Sequence, residues 1–120
     1  MKAIGVAMAA AALIAGCGGG SGPDQPSGSI KVTMTEFQFD PSTITAPSGK
    51  VVFYLVNSGS TGHDLVVRDS SGKKIAGSEL VSAGDRFIFT IDNLPAGSYK
   101  IVCDQPGHEG SGMKGDLTVT

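Results

Sequence analysis

From Ile30 to Val119 the apolar residues recur at every second position, in short runs separated by turn residues, and this alternation constrains the fold more than any other feature of the chain. Successive side chains of a β-strand point to opposite faces, so a period of two marks a strand with one buried face. Ile30, Val32 and Met34 alternate, and Phe37 and Phe39 continue in the opposite phase, which predicts a bulge near Thr35 and Glu36. Thr43 to Ala46 is a short run that stops at Pro47. Val51, Phe53 and Leu55 interleave with Val52, Tyr54 and Val56, so this strand is apolar on both faces and belongs at the centre of a sheet. Leu65 with Val67, then Phe87, Phe89 and Ile91, then Tyr99, Ile101 and Cys103, and finally Leu117 with Val119, extend the pattern. Residues 73–81 fit an irregular strand or a short helix equally well. The 18 glycines and the absence of Trp suit short strands with many turns. The expected fold is all-β, an antiparallel Greek-key β-sandwich of about seven or eight strands. Leu94-Pro95-Ala96-Gly97-Ser98-Tyr99 resembles a tyrosine corner, in which the Tyr hydroxyl bonds backbone at a sandwich turn.

The charge balance narrows the partners. Nine basic against 11 acidic residues, a net charge of −2, leave no basic excess to hold nucleic acid. Two cysteines are too few for a disulfide-stapled scaffold or a four-cysteine zinc site. At the N-terminus, Lys2 is followed by an apolar run from Ala3 to Ala15. It is shorter than the roughly 20 residues of a membrane-spanning helix and has the size of a signal-peptide core. The run ends in Ile14-Ala15-Gly16-Cys17, which resembles the lipobox of bacterial lipoproteins. The resemblance implies a signal peptide over residues 1–16, cleavage before Cys17, and lipid on Cys17 that anchors the protein to a bacterial membrane, in the periplasm or at the cell surface. An ordinary secretory signal with an incidental Cys is the plainer reading. Residues 18–29 carry no apolar side chain except proline, so residues 17–29 are expected to be an acylated cysteine and a flexible tether, and 30–120 the folded domain.

The chemistry is concentrated in Cys103-x4-His108-x4-Met113, with His63 forty residues ahead of Cys103. Cys103 shares the parity of Tyr99 and Ile101, His63 that of Leu65 and Val67, and Met113 that of Leu117 and Val119. All three therefore point inward at strand ends, and His108 comes from the loop between two of them. Singly, His63 reads as a polar loop residue, Met113 as core filler and Cys103 as an inert buried thiol. Jointly, two imidazoles, one thiolate and one thioether are too soft a set for Ca²⁺ or Mg²⁺ and match the donors of blue-copper electron-transfer sites.

The stretch from Thr35 to Thr120 resembles the cupredoxins, especially the plastocyanin/azurin-like bacterial proteins. The likeness lies in Glu36-Phe37-Gln38-Phe39, Gly62-His63, Gly97-Ser98-Tyr99 ahead of Cys103, Pro106-Gly107-His108 and Gly112-Met113-Lys114-Gly115-Asp116-Leu117. It implies one type 1 copper ion, with His63, Cys103 and His108 as equatorial ligands and Met113 as the axial one. It further implies that the amide of Asp64 donates to the Cys103 sulfur, and that Gly62 offers a carbonyl as a distant contact. Spacings of four and four residues in the ligand loop match neither the plastocyanin nor the azurin loop. Asp64 stands where Asn is more usual, and Asp104 where Thr or Ser is common. The two carboxylates are expected to approach each other behind the metal, raising the pKa of one by like-charge repulsion.

The function implied is one-electron transfer, outer-sphere through the exposed edge of His108, with redox partner proteins docking transiently on Pro106, Gly107, Gly110, Gly112 and Met113 around it. The protein is expected to be a monomer. A coordinatively saturated copper offers no open position to substrate, which argues against an enzyme. A Cys103–His108 nucleophile pair lacks a general-base contact and an oxyanion site. The alternative is an extracytoplasmic copper-binding protein for capture or delivery. Glu109, Lys114 and the other scattered charges read as solvated surface.

Overall fold

The computed structural model describes residues 22–120; the apolar run and Cys17 lie outside the described residues. The strands are β1 (Ile30–Thr35), β2 (Gln38–Asp40), β3 (Thr43–Ala46), β4 (Gly49–Asn57), β5 (Val66–Arg68), β6 (Lys74–Gly77), β7 (Arg86–Leu94), β8 (Gly97–Val102) and β9 (Lys114–Val119). They form two sheets, ordered β2-β1-β4-β7 and β3-β9-β8-β5-β6. The β-sandwich expected from the alternation is present, and β4 is interior to its sheet as its two apolar faces require.

Most pairings are antiparallel, but β1 runs parallel to β4 and β3 parallel to β9. The chain crosses from the first sheet to the second after β2 and returns after β3 through Pro47 and Ser48. Such crossings are what parallel neighbours need, since a tight hairpin produces only antiparallel ones. The phase change after Met34 is a chain reversal and not a bulge: Thr35 pairs with Gln38, leaving Glu36 and Phe37 as the turn. Phe39 is buried while Phe37 is exposed at the tip. Within residues 73–81, Lys74–Gly77 is the edge strand β6, and Val81 forms an isolated bridge with His63.

The inward faces meet as predicted. Val32, Met34, Phe53, Leu55 and Phe89 of one sheet pack on Ile44, Val67, Ile101 and Leu117 of the other. Phe53 and Phe89 are direct cross-strand partners with stacked rings 6.0 Å apart, a pairing that locks the β4–β7 register. The tyrosine corner is formed, with the Tyr99 hydroxyl donating to the Pro95 carbonyl at 2.6 Å. Tyr54 points out of the opposite face of β4 and is nevertheless buried. Its hydroxyl donates to the Pro23 carbonyl at 2.5 Å. The stretch expected to be tether therefore touches the sheet at Pro23, where its carbonyl gives the covered Tyr54 hydroxyl an acceptor.

Candidate metal centre

Cys103 follows β8, His63 precedes β5 and Met113 precedes β9, so neighbouring strands of one sheet bring them to the same end of the sandwich. Cys103, His63 and Met113 are all completely buried, and His108 is half-buried. The Cys103 Sγ lies 4.0 Å from His63 Nδ1 and 3.4 Å from His108 Nδ1. The three donor atoms all fall within 4.8 Å of one another. Donors bound to one ion at roughly 2.0–2.3 Å in a trigonal plane stand about 3.5–4 Å apart, so the set fits a single shared metal. Met113 shares the buried core cluster with Cys103. Its carbonyl accepts from the Cys103 amide at 3.1 Å, and its amide donates to the His108 carbonyl at 3.1 Å. All four residues predicted from their parity and chemistry are thus gathered at one end of the core.

The loop between Cys103 and Met113 is closed on itself. The His108 amide donates to the Gln105 carbonyl at 3.0 Å, and the Ser111 amide to His108 and Gly107. Gly107 and Gly112, immediately ahead of the two loop donors, have φ of +79° and +110°. A side chain is strained at those angles, so glycine there lets the backbone turn each donor inward. On the other side, the His63 amide and carbonyl pair with Val81. The buried Asn57 side chain donates to the carbonyls of Thr61 and Val81, both at 2.8 Å, and accepts from the Gly59 amide at 2.9 Å. Asn57 was not anticipated from the sequence, although a polar residue in phase with Phe53 and Leu55 is a visible signal.

Burial sets the titration of the donors. It raises the Cys103 thiol above its ordinary range, against the backbone amides of Asp64 and Gln105, which hydrogen-bond the sulfur and lower it. Burial also lowers the His63 pKa, opposed by the Glu36 carboxylate. Both effects favour uncharged donors until a cation replaces the thiol proton.

Asp64 and Asp104 are adjacent, but not as two facing carboxylates. Asp64 Oδ1 accepts from the backbone amide of Asp104 at 2.7 Å, and Oδ2 from Gln105 Nε2 at 2.9 Å. The Asp104 carboxylate turns outward to Arg68 Nη2 at 2.7 Å. The expected like-charge repulsion is corrected by this arrangement: an amide satisfies one carboxylate and a guanidinium the other. Arg68 Nη1 also reaches Glu109 at 3.2 Å, so Glu109, expected to be simply solvated, is paired. Gly62 lies under Leu80, whose Cδ1 would stand 3.0 Å from a Cβ at that position.

Glu36 was missed as a site residue and appeared only within a likeness string. Its Oε2 is 3.2 Å from His63 Nε2 and accepts from the Thr61 amide and hydroxyl at 2.8 and 2.7 Å. Beside it, Phe37 meets the His108 ring edge-on with centroids 4.9 Å apart. The signal was slight, since a single acidic residue in a turn is ordinarily solvated.

A family model described as a cupredoxin-like domain matches residues 5–119. A plastocyanin from Scenedesmus fuscus is 32% identical over 68% of this chain and 85% of its own length. The copper-resistant cuproprotein CopI of Rubrivivax gelatinosus is 29% identical over 75% of this chain, which spans 65% of that protein. Among solved structures, the dithionite-reduced auracyanin of the photosynthetic bacterium Roseiflexus castenholzii superposes with a TM-score of 0.70 at 21% identity, covering 80% of this chain and 99% of that one. The donor set suits a thiophilic metal, and the sequence likeness identifies which: the chain belongs to the cupredoxin family, with copper as its cofactor.

Proposed function

We propose that the protein is a one-electron carrier in which His63, Cys103 and His108, with the Met113 thioether, would hold a copper ion. Bound copper supplies a Cu(I)/Cu(II) couple. One observation supports the reading most: the three close donors are fixed by the protein itself, through the Val81 bridge, the Asp64 carboxylate and the closed 103–113 loop. Donors held in place beforehand rearrange little between oxidation states. Of the three, only His108 reaches the surface, which makes its edge the point for electron entry and exit. Phe37, 39% exposed and packed edge-on against the His108 ring, adds apolar surface beside it that suits brief docking of a redox partner. A copper held by four protein donors would keep no open position for substrate, so this reading is of a carrier and not of an enzyme.

The Ala3–Ala15 run and Cys17 support an extracytoplasmic protein on a lipid anchor. Mass spectrometry of the membrane-extracted protein tests that placement, with an acylated N-terminal Cys17 as the expected species. For the site, Cu(II) added to the full chain is expected to give an intense blue thiolate-to-copper absorption, lost in Cys103→Ser. A colourless wild type ends the proposal.

The likeness to a copper-resistant cuproprotein favours a second reading, copper capture or delivery. Fast electron self-exchange with copper retained against a Cu(I) chelator supports the carrier, and ready Cu(I) handover supports delivery.

A further inference from the structure

We propose that Glu36 is a positioning residue for the metal centre: its carboxylate holds His63 as the Nε2–H tautomer and thereby presents the Nδ1 lone pair toward Cys103. The inference rests on the copper reading for its consequences, but its geometry is independent of any ion.

Glu36 sits in the reversal between β1 and β2, 27 residues from His63 in sequence. Its carboxylate accepts from the Ser60 amide at 3.0 Å on Oε1 and 2.9 Å on Oε2. The Thr61 amide and hydroxyl complete a cradle of N–H and O–H donors around Oε2. A carboxylate so surrounded stays ionised, and an ionised carboxylate only accepts. The one ring atom of His63 that faces it, Nε2 at 3.2 Å, must then carry the hydrogen.

The opposite tautomer puts a nitrogen lone pair against the carboxylate in a ring with no solvent exposure, where water cannot intervene. It also turns an N–H toward the Cys103 sulfur, 4.0 Å from Nδ1, where a metal needs a lone pair. Hydrogen bonding of the far nitrogen to a carboxylate strengthens an imidazole as a donor and fixes its orientation. A stronger donor with a nearby negative charge favours the more highly charged Cu(II) over Cu(I), so Glu36 is expected to hold the reduction potential down.

Glu36→Gln keeps an oxygen acceptor for Ser60 and Thr61 and removes the charge. Ring proton–nitrogen correlations in the metal-free full chain are expected to show His63 protonated at Nε2 in the wild type, with the Nδ1–H form gaining population in Glu36→Ala, where no acceptor faces the ring. In Glu36→Gln the oxygen at the Oε2 position still accepts and only the charge is lost. In the copper-loaded proteins Glu36→Gln is expected to lose about tenfold in Cu(II) affinity with Cu(I) affinity kept. That ratio corresponds to a potential about 59 mV higher. A purely structural cross-link would alter the melting temperature and leave tautomer and potential unmoved. The proposal is overturned if wild-type His63 carries its proton on Nδ1, or if Glu36→Ala matches the wild type in tautomer and Glu36→Gln matches it in potential. Should the wild type fail to load copper, the electron-carrier reading falls while the metal-free tautomer still decides this one; it decides equally if a variant does not fold.

Discussion

Asp64 and Asp104 meet as carboxylate and backbone amide, Oδ1 to N at 2.7 Å, joining the residue after one metal donor to the residue after another. The same carboxylate holds Gln105 Nε2 at 2.9 Å. One side chain thus binds the His63 segment to the start of the ligand loop. Hydrogen bonds to a charged acceptor contribute about 1.5–3 kcal/mol each, more than neutral ones, and Asp64 is nearly buried. Asp64→Ala is expected to cost about 2–3 kcal/mol by denaturant unfolding of the metal-free protein. Asp64→Asn retains an acceptor for the Asp104 amide, and Gln105 can turn its carboxamide over to match. Its cost is expected to stay under about 1.5 kcal/mol. Equal losses in both variants would show that the acceptor geometry is not what matters.

Arg68 reaches past the loop from outside, to Asp104 at 2.7 Å and Glu109 at 3.2 Å. All three side chains are partly solvated, so the pairs are screened and contribute about 0–1 kcal/mol. Arg68→Gln is therefore expected to change global stability by less than about 1 kcal/mol. Its effect belongs to local opening: amide exchange at 105–111 should quicken while β4 and β7 stay protected. A global loss of several kcal/mol, beyond the range for partly solvated pairs, would contradict this division.

The metal-free protein should be most stable between mildly acidic and mildly basic pH. Hydrogen bonds from Thr61 and Ser60 hold the Glu36 carboxyl at about 2, against an ordinary 4.5. A depressed carboxyl pKa means the unfolded chain binds more protons, so this support is complete above about pH 4.5 and is lost as the pH falls toward about 2. His63, whose pKa burial lowers from 6.5, acts in the same direction from pH 6.5 downward. Cys103 has the opposite sign. Burial raises its pKa above 9.0, so the native state keeps a proton the unfolded chain releases, and stability declines as the pH rises past 9. Melting curves across pH check each limb: Glu36→Gln should flatten the acid limb and Cys103→Ser the alkaline one.

The donors were legible because two independent signals coincide in three of the four. Cys103, His63 and Met113 have the strand parity of core residues and also carry metal-ligating atoms, while His108 is the exception, placed by the spacing of the Cys103–Met113 loop and its ring alone. The tyrosine corner was legible because Tyr99 and Pro95 are four residues apart, and local hydrogen bonds follow from local order. The β1–β2 reversal was not, since a bulge and a two-residue turn shift the apolar phase identically. The parallel pairings were hidden because Ile30 and Phe53, or Thr43 and Asp116, are joined by register between distant segments. β6 gave no periodic signal, because an edge strand exposed along nearly its whole length has no buried face. The partnerships of Glu36 and Arg68 were invisible for a related reason. A charge has no periodicity that announces its partner, and both reach across long stretches of chain.

Asn57 carries the last prediction. It ends β4 at an inward position and is 1% exposed. Its amide donates to Thr61 and Val81 while its oxygen accepts from Gly59, so it braces both the loop before His63 and the isolated bridge at Val81. Asn57→Ala removes a buried bond to the Val81 carbonyl, which keeps the His63 amide, and leaves the part-buried Thr61 carbonyl and Gly59 amide without their partner, at about 1–3 kcal/mol for each group left unpaired. Some will recover water, so the expected loss is about 2–4 kcal/mol in denaturant unfolding. Asn57→Asp preserves the shape and the acceptor toward Gly59 but turns an ionised oxygen against two carbonyls. At neutral pH it should cost at least as much as Ala, and part of the loss should return on acidification as the carboxyl gains a proton to donate. An Asp variant as stable as the wild type at neutral pH is incompatible with Asn57 acting through its two amide hydrogens.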